Sequence, residues 1–367
     1  MRILVTSMMH FTNSNRGIDI LCRALAEEGH NVTHLVFPIY NKKMVKKTLA
    51  STNRLIQQIY ANKVLIPYDD DTMFWFPRTV MKLIHYSHLR SIKYIDFSSY
   101  DLIVLESGKP LFLIDVIPKN VSLIYRQSDP VWALMKSRYL RELEEKVMKR
   151  ANLVLIVRTQ FLNSMDFDFR DKVFVWKNGF NVLLSNEIEE NPYRQNSLKK
   201  AVYLGLAPID YRTLDYVSSF HLDVEFHIIG NTCLSYFESR KLRKKKNIFV
   251  HGYMSPEKYL PYVKNADFAI VPYKKTKVKF FGLTSKYLLF MYFNLPIVSY
   301  YKPLDIEEFG NLPVLFASNI DEFSKQIDVA KKMGKINYDI DFSYYSYKGR
   351  KKELLEILEK AAIIKGF

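Results

Sequence analysis

A chain of 367 residues with 48% hydrophobic and 25% charged content is too long for one compact core and too apolar for a disordered chain, so two globular domains are expected. Its 54 basic residues against 38 acidic ones give a formal charge of +16, which points to nucleic acid, anionic lipid or phosphorylated substrates unless it only reflects an AT-rich coding composition. The two cysteines, Cys22 and Cys233, are too few for a disulfide framework or a cysteine zinc site and fit a reducing compartment.

In chain order, MRILVTSMMH has too short an apolar run for a signal peptide and reads as a first strand. Gly17 to Glu28 places Ile18, Leu21, Cys22 and Leu25 on one side of a helix, Gly29 stands at the cap position, and NVTHLVF follows as a strand. That order opens a parallel βαβ unit. From Asn41 to Tyr100 basic residues dominate outside Asp69 to Asp71. Here YNKKMVKKTLASTNRLIQQIY interleaves Lys42, Lys43, Lys46 and Lys47 with apolar positions, and the aromatic cluster MFWFP follows. Basic amphipathic helices beside exposed aromatics suit an anionic bilayer surface; a solvated helix face over core aromatics is the plainer reading.

The runs DLIVLES (101–107), VSLIYRQ (121–127), ANLVLIVR (151–158) and KVFVWKNG (172–179) are short and apolar and end in polar residues or glycine. They read as buried parallel strands with both faces covered. The aperiodic stretch 183–200, LLSNEIEENPYRQNSLKK, reads as a linker. A second series follows: KAVYLGL, VEFHIIG, NIFVHGY and DFAIVPY, then LTSK (283–286) leading into YLLFMYF. No run reaches the about 18 consecutive apolar residues of a membrane-spanning helix. The tail KKELLEILEKAAII is an amphipathic helix, expected to return to the first lobe by analogy with two-lobed proteins.

Ligands of open parallel sheets bind beyond the carboxyl ends of the strands, so two such lobes are expected to face each other across a cleft lined by strand-end residues. Asp129, after a buried strand and before a proline, is placed either as a general base toward a hydroxyl or as a helix cap. Glu106, Ser107 and Gly108 end another strand, and Glu106 can hold a hydroxyl or pair with Arg126. In LTSK, Thr284 or Ser285 can cap a helix whose N-terminus, with Lys286, suits a pyrophosphate; a capped core helix with a solvated lysine is the alternative. The basic run RKLRKKKN (240–247) reads as a solvated helix end, with lipid or nucleic-acid binding as the lesser options. The eight histidines show no metal-ligand spacing, and no Walker loop, G-x-G-x-x-G or Gly-x-Ser-x-Gly elbow is present.

Taken together, ESG (106–108), YRQSD (125–129), NGFN (178–181), Gly205, FHIIG (226–230), HGYMS (251–255), VPY (271–273) and SKYLL followed by Leu295-Pro296 resemble glycosyltransferase family 70, over about residues 100 to 300 and more loosely before them. The resemblance implies a GT-B fold of two Rossmann-like α/β domains. It also implies an inverting, metal-independent transfer of a sugar, glucuronic acid being one such sugar, from a UDP-linked donor to a lipid-linked or polysaccharide glycan. The enzyme would be peripheral to the cytoplasmic membrane face and need no cofactor. The domains would be 1–183, binding acceptor and facing the membrane; 199–346, binding the nucleotide-sugar; and a closing helix over 347–367.

By the same resemblance Asp129 is the base, Tyr273 contacts the donor nucleotide, and Lys286 with Thr284 faces the pyrophosphate. Gly205, Ala207, Tyr253 and Ser285 complete the donor set. Glu106, Ser107, Gly108, Arg126 and Asn178 make up the acceptor side. The chain departs from the family at Tyr253, where an acidic contact is usual, and at Ala207, Ser285 and Leu289. A nucleotide-sugar epimerase of the same architecture, or a basic protein binding lipid or nucleic acid, are the other readings.

Overall fold

The structure is a computed structural model. It describes all residues except 12–15, 41–54, 132–134, 165–166, 181–189, 206–207, 231–233, 275–283, 304–305, 307–311 and 364–367, and the side chains of 163–169. The chain divides into two compact units, Met1–Gly179 with Tyr347–Phe367, and Phe180–Ser346. Each is a Rossmann-like parallel sheet with helices, the two-unit composition of the GT-B fold.

The first unit holds seven parallel strands in the order β3-β2-β1-β4-β5-β6-β7. They are β1 (Arg2–Ser7), β2 (Asn31–Val36), β3 (Ile56–Tyr60), β4 (Leu102–Glu106), β5 (Ser122–Gln127), β6 (Leu153–Ile156) and β7 (Val173–Val175). Successive side chains of a strand point to opposite faces, and both faces here are apolar. Ile3, Val5, Leu102 and Val104 enter one core with Leu21 and Leu25 of helix Gly17–Glu27. Leu4, Ile103 and Leu105 enter the other, under helices Arg78–Arg90 and Arg138–Arg150.

The helix Tyr347–Lys360 belongs to this first unit although 167 residues of the second unit precede it. Leu354, Ile357 and Leu358, spaced to share one helical face, join the core beside helix Gly17–Glu27. The Trp176 indole N–H donates to the Arg350 carbonyl at 3.0 Å, and Lys351 pairs with Glu27 at 3.0 Å and Glu28 at 2.7 Å. The apolar face carries the docking, since exposed ion pairs contribute about 0–1 kcal/mol each.

The second unit holds six parallel strands in the order β10-β9-β8-β11-β12-β13. They are β8 (Lys199–Leu204), β9 (Val224–Ile229), β10 (Ile248–Gly252), β11 (Phe268–Val271), β12 (Ile297–Ser299) and β13 (Val314–Phe316). β9 is buried throughout, and its one acidic residue, Glu225, is paired with Lys200 at 2.8 Å.

Two expectations are corrected. The basic stretch read as helical ends in a strand: Ile56–Tyr60 pairs with β2 from Val32↔Ile56 to Val36↔Tyr60, because LIQQIY past Arg54 carries no charge and completes a sheet edge. Lys42, Lys43, Lys46 and Lys47 lie outside the described residues. The linker expected over 183–200 is, in its described part, packed structure. Tyr193 is buried and its hydroxyl donates to the Tyr262 carbonyl at 2.6 Å, so the division of the chain falls at Gly179 instead. β13 was not foreseen; three residues are too few to leave a pattern.

Both sheets reverse their winding once, between β1 and β4 in the first unit and between β8 and β11 in the second. The crevice of a doubly wound sheet opens beyond the carboxyl ends of such a pair, which fixes where each unit's ligand residues should be sought.

Candidate active site

In the first unit the strand ends meet around Arg126. Its guanidinium is 2% exposed and donates to Glu106 Oε1 at 2.7 Å and to Asn178 Oδ1 at 2.9 Å. It also lies over the Trp176 ring, 5.6 Å from the centroid. Gly17 opens the first helix against it, and a Cβ there would fall 2.0 Å from an Arg126 nitrogen. Next to this group, Arg16 pairs in bidentate fashion with the fully buried Asp19 at 2.7 and 2.8 Å. Burial pushes the Glu106 carboxyl up, with Arg126 and then Arg16 partly offsetting it. Glu106, Arg126 and Asn178 thus come together, as a buried scaffold rather than a solvent-facing set.

The loop beyond that scaffold carries Asp129. The Ser107 hydroxyl lies 2.9 Å from that of Ser128, and the Asp129 backbone N–H donates to Ser107 Oγ at 3.1 Å. Gly108 follows with φ +97°, a turn geometry that side chains other than glycine rarely adopt. The Asp129 carboxyl itself reaches solvent. Desolvation by the surrounding protein raises it above the ordinary aspartate range, against the lowering pull of Arg158 and then Arg126. A carboxylate whose basicity is raised and which is still open to solvent suits abstraction from a hydroxyl. The competing helix-cap reading turns on the N–H groups of 131 and 132: that of Val131 donates to Glu144 Oε1 at 3.2 Å, and 132 lies outside the described residues.

In the second unit Gly205 directly follows β8, and Tyr273 lies two residues past the end of β11. Lys286, the second residue of helix Ser285–Tyr292, reaches back between them. Its ammonium is hydrogen-bonded to Tyr273 Oη and lies 4.6 Å from the Tyr273 ring centroid and 5.5 Å from that of Tyr203. Gly205 makes room for it: a Cβ would stand 2.3 Å from Lys286 Nζ. Gly230 in turn packs on Gly205, where a Cβ would meet the Gly205 carbonyl oxygen at 2.0 Å. Tyr273 is 1% exposed and stacks on Tyr301 at 5.4 Å and 17°, so its side chain supports the lysine from below.

Desolvation lowers the Lys286 pKa to about 7.

The expected side-chain cap of this helix does not form. Thr284 takes the N-cap backbone position without a capping hydrogen bond, and among the described residues its buried Oγ1 has no partner. A helix leaves its first N–H groups without intrahelical acceptors, and here the cap side chain leaves them open. An orphaned hydroxyl, open amides and one lysine around a glycine turn fit a diphosphate. Ser285 is exposed at the same turn, and Tyr253, after the turn at Gly252, is 76% exposed. Ala207 lies outside the described residues. Among the described residues, no group of three or more His, Cys, Asp or Glu side chains could hold a metal ion.

Reading the sequence missed Gly17, Arg16, Asp19, Arg158, Tyr203 and Tyr301. Tyr203 carried a signal: it sits two residues before Gly205 on a strand, hence on a fixed face next to the turn.

Comparison with known proteins now adds to this geometry. Residues 5–157 match the family model for the N-terminal domain of the glucuronosyltransferase GumK. A UDP-glucuronate:glycolipid 2-beta-glucuronosyltransferase of Xanthomonas campestris pv. campestris is 26% identical over 203 residues, 54% of this chain. The match spans about half of that relative, 48% of its length. Among solved structures, HepE of Anabaena in complex with UDP and glucose is similar with TM-score 0.65 at 14% identity, over 98% of this chain and 99% of that one. A UDP-GlcNAc 2-epimerase of Methanocaldococcus jannaschii has TM-score 0.52 at 10% identity, over 98% and 99%. These structural likenesses carry the fold alone, which transferases and epimerases share.

Proposed function

We propose that this GumK-like protein is an inverting glycosyltransferase that moves a sugar, glucuronic acid being the leading candidate, from a UDP-linked donor to a lipid-linked glycan at the cytoplasmic membrane face. The observation that carries the reading is the Lys286 seat. Tyr273, Tyr203 and Gly205 hold a lysine at an uncapped helix N-terminus, at the one place in that sheet where the winding reverses. The match of residues 5–157 to the glucuronosyltransferase model favours transfer over epimerisation.

The division of chemistry follows from the residues. Asp129 takes the proton from the acceptor hydroxyl as that oxygen attacks the anomeric carbon, and the bond to the diphosphate breaks on the opposite face, inverting the centre. Lys286, the open helix amides and the Thr284 hydroxyl stabilise the departing diphosphate, and this transfer needs no metal. Ser107 fixes the backbone of Asp129, while Arg126, Glu106 and Asn178 hold the strand ends that carry the acceptor side. Tyr253 and Ser285 are assigned to the donor by their exposure beside the turn.

For the membrane face, the support is a set of exposed apolar residues on the first unit. Leu65, Ile66, Phe74, Trp75, Leu83 and Tyr86 are exposed, near Arg78, Lys82 and Lys136 in sequence or contact. Among the described residues no helix is long and apolar enough to cross a membrane.

The test is incubation with UDP-, GDP- and dTDP-sugars and a glycolipid acceptor, with the anomeric configuration of the product read by NMR. A product inverted at the anomeric carbon with a UDP-sugar is expected. A free epimerised nucleotide-sugar, or no thermal stabilisation by any nucleotide, contradicts the reading.

A further inference from the structure

An aspartate side chain readily accepts from the backbone N–H two residues on, and this chain uses the contact repeatedly. Asp69 takes the N–H of Asp71 at 3.2 Å, Asp96 that of Ser98 at 3.0 Å, Asp210 that of Arg212 at 3.0 Å and Asp341 that of Ser343 at 2.9 Å. Asp129 has the same opportunity at Val131, with Pro130 between them carrying no N–H of its own. There the N–H goes elsewhere: Val131 donates to Glu144 Oε1 at 3.2 Å.

The packing equips Glu144 to win that competition. It is 3% exposed on helix Arg138–Arg150, and the same Oε1 accepts from the Tyr125 hydroxyl at 2.6 Å and from the Gln127 side-chain amide at 2.9 Å. Tyr125 and Gln127 alternate on β5 and so share one face of the strand that leads to Asp129. One carboxylate oxygen thus ties the strand before the aspartate to the backbone after it. On the other side, Ser107 Oγ accepts from the Asp129 N–H at 3.1 Å. The N–H groups flanking Pro130 are therefore held by side chains from two other segments, and the Pro130 ring fixes its own φ.

We propose that Glu144 is a positioning residue for the base: by taking the Val131 N–H it keeps Asp129 from turning onto its own backbone and leaves that carboxylate available to the acceptor hydroxyl. The proton still passes from the hydroxyl to Asp129, and Glu144 touches neither the substrate nor the proton. This inference rests on the reading of Asp129 as the base.

The test is the pH–rate profile of Glu144→Asp, measured as UDP release from UDP-glucuronic acid with a glycolipid acceptor. This variant keeps the negative charge but withdraws the carboxylate by one methylene, which leaves the Val131 N–H to Asp129. A donor on the ionised carboxylate favours that form, so the acid limb of kcat/KM should move down by about one pH unit. On the plateau kcat should fall about tenfold, with UDP affinity unchanged. The other charged or titratable groups that face Asp129 are Arg126 and Tyr125 of β5, Glu106 of β4 and Arg158 beyond β6, and they are the same in both proteins. An unmoved acid limb, whether kcat is that of the wild type or is reduced equally at every pH, overturns the inference and leaves the base reading intact. If Glu144→Asp falls short of the wild-type melting temperature, the wild type labelled with nitrogen isotope at valine decides instead. Its Val131 amide resonance should hold still as pH crosses the acid limb. A downfield shift that tracks the limb gives that N–H to Asp129 and overturns the inference. Wild-type kcat in Asp129→Asn overturns the base reading and the inference with it.

Discussion

The two strand-end regions treat charge in opposite ways. At the strand ends of the first unit two buried ions have counterions at hydrogen-bond distance: Arg126 with Glu106 at 2.7 Å, and Asp19 with Arg16 at 2.7 Å. In the second, Lys286 is held by a phenol and two aromatic rings. Paired charges make a fixed scaffold whose electrostatics change little when a neutral sugar hydroxyl arrives. Lys286, which has no carboxylate partner among the described residues, makes a seat that responds to an anion. The contrast separates the parts expected to govern rate and stability from those expected to govern donor affinity.

The largest effect should come from the exposed carboxylate on the paired side. Asp129→Asn is expected to lower kcat by about 10²–10⁴, the range of a lost general base, with UDP affinity unchanged. In the wild type, activity requires the ionised form, so it is lost as pH falls through the raised Asp129 pKa. The acid limb of kcat/KM should therefore lie above the ordinary aspartate range. A pH–rate profile with its acid limb at or below that range would remove Asp129 from this role.

Next in size is the scaffold. Arg126→Met leaves Glu106 buried without its partner and should cost about 3–5 kcal/mol of stability, read by chemical denaturation. Gly17→Ala forces the same guanidinium away from a Cβ 2.0 Å from its nitrogen, so it should destabilise the first unit too. If both variants kept wild-type stability, the paired group would be incidental to the fold.

On the responsive side, Gly205→Ala puts a Cβ 2.3 Å from Lys286 Nζ at a φ of +153° that favours glycine. It should weaken UDP binding about tenfold, about 1.4 kcal/mol, with less effect on stability than Arg126→Met. Equal UDP affinity in this variant would show that the turn is not part of the donor site. The smallest effect is expected from Trp75→Ala, exposed at 66% on the first unit. It should weaken binding to vesicles containing anionic lipid by about 1 kcal/mol, measured by co-sedimentation, with kcat on a detergent-soluble acceptor unchanged. Unchanged vesicle binding would argue against this patch as the membrane contact.

The same contrast explains what could be read from the chain. Parallel strands buried on both faces leave continuous apolar runs, so DLIVL, SLIYRQ, VEFHII and FAIV announced themselves. β3 and β13 did not, since LIQQIY mixes polar residues at a sheet edge and Val314–Phe316 is too short. The division of the chain was misplaced because NPYRQN has the composition of a linker, and only the packing of Tyr193 on Tyr262 shows otherwise.

At the sites, residues next to a strand end or helix start were named from sequence, including Asp129, Lys286, Gly205 and Tyr273. Groups brought in from distant segments were not. Gly17 is separated from Arg126 by three strands of sequence, and Tyr301 reaches Tyr273 from beyond the next strand. The cap of the helix at Thr284 was expected from residue type, yet type alone does not say whether the hydroxyl turns to its own backbone or is left for a ligand.

The central claim is the division of labour between a base in one unit and a diphosphate seat in the other. It is tested most directly by titrating UDP into wild type, Asp129→Asn and Lys286→Met by calorimetry at pH 7. The account predicts wild-type affinity for Asp129→Asn and binding weakened about tenfold or more for Lys286→Met. Loss of UDP binding in Asp129→Asn, or unchanged binding in Lys286→Met, would contradict it.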